Sequence, residues 1–172
     1  MKKKNGFTLV ELLAVIVVLA IIMIIAIPAV LETMANARRS TFALYIEKVV
    51  KDVQTQYLYD ANGGSISGAG IYVYNIESDL NYTTVGDYRG YVVVNALDVD
   101  KVHYVVTLWD SNYMTINWDV TTSKMPKADD KTAIQSLDKS QTDAVTMTGL
   151  CNAVSSGATN SCYNRYGQLI VG

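Results

Sequence analysis

An unbroken apolar run follows a short basic start of the chain. Between Phe7 and Leu31 the sequence FTLVELLAVIVVLAIIMIIAIPAVL carries one charged side chain, that of Glu11. A helix of about 20 apolar residues is long enough to cross the hydrocarbon core of a bilayer. The pattern therefore predicts a membrane-spanning helix over residues 7–34. A carboxylate is costly in such a segment and usually has a partner, so Glu11 requires an explanation.

The helical pattern continues past the apolar run but becomes one-sided. Steps of three and four residues separate the apolar positions Phe42, Tyr45, Ile46, Val49, Val50, Val53 and Tyr57. This spacing places them on one helical face. We expect an amphipathic helical half over residues 35–60 and, because of its four glycines and two serines, a loop over residues 61–70.

Strand signals follow in the middle of the chain. Segments rich in β-branched and aromatic residues occupy 90–95, 103–109 and 113–118, and Asp-Ser-Asn separates the last two. They predict an antiparallel sheet at about 90–119, against which the amphipathic helix packs in an α+β fold. Residues 71–80 suit either a strand or a helical turn, and residues 121–150 have no convincing periodicity.

Composition and charge narrow the possible partners and location. The chain has 172 residues and a formal net charge of −2, so nothing predicts a nucleic-acid partner. Its two cysteines, Cys151 and Cys162, lie close together near the C-terminus. An even pair beside an N-terminal membrane segment favours an oxidising, exported location, with two buried free thiols as the alternative.

The sequence gives no sign of an enzyme or of a bound cofactor. The only histidine, His103, falls inside a predicted strand, and the chain has no zinc-type cluster, P-loop or nucleophile elbow. The acidic pairs Asp98/Asp100 and Asp129/Asp130 could contribute calcium ligands. Calcium takes six to eight oxygens, so solvated loops are the expected role of these pairs.

Two simple interpretations of the N-terminus leave features unexplained. A secretory signal peptide accounts for Ala35-Asn36-Ala37, which has the form of a cleavage site, but the apolar run is longer than such signals carry. A plain transmembrane anchor accounts for the length and the preceding lysines. It leaves Glu11 without a partner, unless the side chain reaches the headgroups.

The stretch Lys4-Asn5-Gly6-Phe7-Thr8-Leu9-Val10-Glu11 resembles the processing site of type IV prepilins. The resemblance implies a leader of residues 1–6, cleavage between Gly6 and Phe7, and N-methylation of Phe7. It also implies that Glu11 guides subunits into a filament through the new α-amino group. Pro28 lies where this family commonly carries a helix-bending proline.

The same resemblance implies the remaining organisation. Residues 35–172 would form a globular pilin domain with a disulfide loop over residues 151–162. The partners would be other pilin subunits, the prepilin peptidase and methylase, and the assembly machinery in the membrane. Before assembly the chain would cross the cytoplasmic membrane once with its N-terminus in the cytoplasm, and after assembly it would lie in an extracellular pilus.

Three alternatives to a type IV pilus subunit remain open. A type II secretion pseudopilin shares the same N-terminal pattern, as does a competence pilin, for which the negative net charge gives no support. A membrane-anchored binding or adhesin domain that never polymerises is the alternative from a different class. Absence of cleavage after Gly6 would favour that last alternative.

Overall fold

The structure, a computed structural model, describes residues 8–80, 82, 87–98, 100–121, 123–155 and 161–171. The chain divides into two compact units, 1–38 and 39–172. The predicted leader, residues 1–6, and Phe7 lie outside the described residues.

Helix α1 extends from Leu9 to Asn62. In the first unit its large apolar side chains are exposed, between 47% for Leu19 and 79% for Leu9. This part is long and apolar enough to cross a membrane, by length and composition. Such a surface is unfavourable in water, so it needs a bilayer or another apolar partner to cover it.

In the second unit one face of α1 is buried. The buried side chains are the seven that the helical spacing singled out, together with Asp60: Phe42, Tyr45, Ile46, Val49, Val50, Val53, Tyr57 and Asp60. Leu44 lies on the opposite side and is 67% exposed. Burial of a face with a period near 3.6 residues explains why these side chains form the hydrophobic core.

The predicted α+β arrangement is confirmed, with a sheet of seven strands in the order β5-β4-β3-β2-β1-β6-β7. The strands are β1 (Ile71–Asn75), β2 (Arg89–Asn95), β3 (His103–Trp109), β4 (Tyr113–Asp119), β5 (Gln135–Ser136), β6 (Cys162–Asn164) and β7 (Leu169–Val171). Neighbouring strands are antiparallel except β1 and β6, which are parallel.

The two faces of the sheet belong to different cores, because successive side chains of a strand point to opposite faces. One face packs against α1 through Tyr72, Tyr74, Val92, Val94, Val106 and Leu108. The other face contributes Ile71, Val73, Val93 and Val105 to a smaller core with Leu150 and Cys151. Those last two side chains come from helix α3 (Met147–Val154), which follows the short helix α2 (Lys139–Asp143).

The sheet is larger than the unit expected at about 90–119. The ambiguous segment 71–80 supplies β1, and the C-terminal region supplies β5, β6 and β7. Strands of two or three residues are too short to show an alternating pattern. Helices α2 and α3 begin at the N-caps Asp138 and Thr146, whose side chains accept backbone hydrogen bonds from Ser140 and Gly149.

A fragment of residues 39–172 should be soluble, monomeric and folded. Both core clusters of the described chain consist of residues from Phe42 onward, so removing the apolar part leaves them complete. We expect a mixed α/β circular dichroism spectrum and one monomeric species by light scattering. Val49→Asp should unfold the fragment, whereas Leu44→Asp, an equivalent change on the exposed face, should leave it folded. Aggregation or a random-coil spectrum of the unmutated fragment would show that this boundary is wrong.

Candidate functional site

The first turn of α1 is closed by a reciprocal pair of hydrogen bonds. The Thr8 backbone N–H donates to Glu11 Oε2 at 2.8 Å, and the Glu11 N–H donates to Thr8 Oγ1 at 3.3 Å. This is a capping box, in which a threonine and a glutamate three residues later satisfy each other's free N–H groups. The Thr8 hydroxyl also donates to Glu11 Oε2, at 2.9 Å. Glu11 therefore has a local structural role besides the assembly role that the resemblance implies.

The capping box leaves part of the Glu11 carboxylate available. Both Thr8 groups donate to Oε2, and within the described residues no hydrogen bond engages Oε1. A carboxylate in apolar surroundings gains most from a positive charge close by. Glu11 is thus oriented at the start of the helix, with an Oε1 that no described residue engages and that suits a cation. Gly6 and Phe7, the predicted cleavage pair, lie outside the described residues, so their roles remain predictions.

Pro28 lies inside α1, which extends on both sides of it. Proline has no N–H, so the helical carbonyl four residues earlier loses its usual donor at this point. One turn later the Thr33 hydroxyl donates to the Ala29 carbonyl at 2.9 Å. The expected bend at Pro28 stays a prediction.

Cys151 and Cys162 link the last helix to the sheet. The structure pairs them as a disulfide, with Cα atoms 6.0 Å apart and a sequence separation of 11. Cys151 lies in α3 and Cys162 begins β6, and both side chains are buried. Because β6 pairs with β1, the bond would hold α3 against the β1–β6 part of the sheet. Residues 156–160 of the enclosed loop lie outside the described residues.

A buried carboxylate connects the end of α1 to the C-terminal hairpin. Asp60 is 4% exposed, accepts hydrogen bonds from Gln56 at 2.8 Å and Tyr74 at 3.1 Å, and lies 3.5 Å from Arg165. Arg165 also donates to the Asp79 carbonyl. Burial, with the neighbouring Asp60 charge and hydrogen bond, raises the pKa of Tyr74, which keeps it a neutral donor. A charge this deep is tolerated because each of its oxygens is satisfied.

In each acidic pair considered for calcium, one carboxylate accepts hydrogen bonds within its own loop. Asp98 accepts from the Asp100 N–H at 3.1 Å, and Asp130 accepts from the Thr132 N–H at 3.0 Å. The Thr132 hydroxyl bond is the main reason why the pKa of Asp130 lies below its usual value. Within the described part of the chain, no three acidic, histidine or cysteine residues gather as metal ligands would.

Comparison with known protein families finds a match at the N-terminus. Residues 1–27 match the family model described as the prokaryotic N-terminal methylation motif. No curated protein and no solved structure matches the chain. The matched range contains Gly6, Phe7 and Glu11, and Pro28 lies just beyond it.

The chain therefore carries a type IV prepilin-like signal, and the resemblance is confirmed over these residues. The signal supports a type IV pilin-like or pseudopilin-type protein and implies processing by prepilin peptidase and pilus-type assembly. The motif and the apolar helix together fit membrane anchoring.

Two structural features described above were not identified from the sequence. The Thr8 cap was missed although its signature, a threonine followed three residues later by glutamate, is readable. The contact of Asp60 with Arg165 had no local signal, because 105 positions separate the two residues in the sequence (165 minus 60).

Proposed function

We propose that the chain is a structural subunit of a bacterial type IV pilus. The observation that carries this proposal is the methylation motif over residues 1–27, which continues directly into an exposed apolar helix. In this proposal the apolar part of α1 lies in the membrane before assembly and packs against the same part of other subunits afterwards. In this proposal the role is structural and not enzymatic.

Cleavage after Gly6 would generate a positive charge that can pair with the Glu11 carboxylate. The new α-amino group of Phe7 would lie about one helical turn from the Glu11 carboxylate. Glu11 could then pair with the amine of its own chain, or with that of a neighbouring subunit when the helices pack side by side. A buried ion pair contributes little to net stability, but it can fix the register between packed helices.

The mature protein should begin at Phe7 and be one methyl group heavier than the simple cleavage product. The reason is the motif around Gly6-Phe7, which the prepilin peptidase would cut and methylate. Intact mass spectrometry of protein from its native host measures both changes at once. A mature start after Ala37 would restore the signal-peptide interpretation, and an uncut chain would favour the non-polymerising anchored domain.

Electron microscopy of sheared surface fibres would then distinguish a pilus subunit from a secretion pseudopilin. Fibres in which mass spectrometry finds this chain as the main component would support the pilus proposal. Correct processing without such fibres would favour a secretion pseudopilin, which shares the N-terminal signal. The C-terminal cysteine pair favours the pilus, because many type IV pilins carry a disulfide-bounded loop in that region.

A further inference from the structure

A polar cavity lies on the face of the sheet that also carries α3. It has a volume of about 430 Å³ and is lined by Asn95, His103, Val105, Asn117 and Asp119, together with the last turn of α3. This volume falls in the range of small-molecule sites. We call it the Asn117 cavity.

The backbone at Asn117 is held in a conformation that is costly for most residues. Asn117 has φ 49°, the only non-glycine positive φ among the described residues. The register of β3 and β4 shifts between Val106 and Leu108, so that Ile116 and Asn117 together oppose Thr107. Such a β-bulge redirects a side chain, and left-handed residues outside glycine concentrate at functional sites. Here the side chain that lines the cavity is the amide of Asn117.

His103 contributes an imidazole nitrogen, Nε2. Its Nδ1 lies 3.0 Å from Asp119 Oδ2, and Asp119 Oδ1 accepts from the Thr121 N–H at 2.8 Å. A carboxylate can only accept, so Nδ1 carries the proton that faces Asp119, and Nε2 makes no hydrogen bond within the described residues. The His103 side chain is 35% exposed, which leaves it accessible to a ligand.

Two asparagine amides contribute donors. Asn95 Oδ1 accepts from the Leu97 N–H at 3.2 Å, and Asn117 Oδ1 accepts from the Thr107 hydroxyl at 3.3 Å. These bonds fix each amide with its oxygen engaged. The NH₂ groups of Asn95 and Asn117 make no hydrogen bond within the part of the chain that the structure describes. The residues that line the cavity thus offer two amide donors and one imidazole nitrogen.

The chemistry of these groups selects the ligand class. Amide NH₂ groups do not bind metal ions, and His103 and Asp119 together fall short of the three ligands of a metal site among the described residues. The Asp119 charge disfavours an anion. A hydroxyl both donates and accepts, so adjacent hydroxyls match an amide donor beside an imidazole nitrogen in either of its roles. Val105 and Val154 add an apolar wall for a C–H face. We propose that the Asn117 cavity binds a neutral hexopyranose unit.

Binding is best tested with the full chain in a zwitterionic detergent that has no sugar headgroup. The probes are D-glucose, D-galactose, D-mannose and N-acetyl-D-glucosamine, each titrated separately and followed by saturation-transfer NMR. We expect saturable binding of at least one of them, with a dissociation constant on the order of millimolar, since a few hydrogen bonds to an exposed site give weak affinity.

Two variants connect that binding to the cavity. Asn117→Gly removes one amide and suits the positive φ, so the fold should be kept. Asn95→Asp keeps the acceptor for Leu97 and replaces the NH₂ donor by an oxygen. Each should weaken sugar binding roughly fivefold to tenfold. Asn112→Gly, the same change as at Asn117 but in the exposed turn between β3 and β4, should leave binding unchanged.

Either of two results would overturn the proposal. The first is the absence of saturable binding for all four sugars with folded protein. The second is binding that Asn117→Gly and Asn95→Asp leave at wild-type affinity, because the sugar would then bind elsewhere. Neither result affects the pilus proposal, which depends on processing and fibre assembly.

Discussion

Chains with Glu11→Ala should enter filaments roughly a hundredfold less often than wild type, while cleavage after Gly6 proceeds normally. An amine left without its carboxylate inside an apolar helix bundle costs about 3 kcal/mol or more, which corresponds to that factor. In the proposed mechanism, cleavage would depend on the residues around Gly6. Assembly would instead depend on the charge that cleavage creates on Phe7.

The capping box allows the charge and the cap to be tested separately. Glu11→Gln keeps a side-chain acceptor that suits the third helical position but removes the charge. Thr8→Val removes the cap and keeps the charge, at a cost of about 1 kcal/mol, or roughly fivefold. If the ion pair guides assembly, the glutamine variant should fail like the alanine variant, and the valine variant should assemble within about fivefold of wild type.

The measurement is the fraction of mature chains in sheared fibres, quantified against the membrane fraction in cells that also express wild type. Mass spectrometry of the membrane pool confirms processing of each variant. Normal incorporation of Glu11→Gln together with poor incorporation of Thr8→Val would assign Glu11 to helix capping alone. Normal incorporation of all three variants would remove Glu11 from the assembly mechanism.

The helix and the central strands could be predicted because their signals are local. The seven apolar side chains from Phe42 to Tyr57 recur at helical spacing, and each is buried. Strands β2, β3 and β4 contain seven residues each and are rich in valine, threonine and aromatic residues. In such segments the spacing of apolar residues, which determines which side chains are buried, can be recognised within a short stretch of sequence.

The strands and helices of the C-terminal part could not be predicted, because they depend on contacts between residues that are far apart in the sequence. The three-residue strand β6 pairs in parallel with β1, about 90 positions earlier, through partners such as Ile71 and Cys162. Neither strand specifies that pairing by itself. Helices α2 and α3 are short, and their caps at Asp138 and Thr146 were their clearest signals.

The Asn117 cavity could not be predicted from the sequence either. Asparagine tolerates a positive φ better than most residues, but the sequence around Asn117 does not indicate the register shift between β3 and β4 at which it adopts one. His103 was expected to be an ordinary strand residue, and it does lie in β3. Its contact with Asp119 depends on the pairing of two strands, which residue spacing alone does not give.

Removal of the Cys151–Cys162 disulfide should lower the melting temperature of the full chain in detergent by on the order of 10 °C. The sequence separation of 11 closes a short loop, for which the loop-entropy model gives about 3 kcal/mol. For a domain of this size, each kcal/mol shifts the melting temperature by roughly 3–4 °C. The bond would also hold α3 against β6, since both cysteines lie in the smaller core.

Alanine variants test this bond, because their effects on the melting temperature should not be additive if the bond exists. Cys151→Ala and Cys162→Ala each break the bond, so the double variant should melt only slightly lower than either single variant. Alanine avoids a buried hydroxyl, which would add its own destabilisation at these buried positions. Reduced wild type should melt near the single variants, and non-reduced wild type should weigh two hydrogens less than the reduced chain. Two free thiols in denatured wild type from its native host, with additive effects of the single variants, would show that the pair is an apolar contact without a covalent bond.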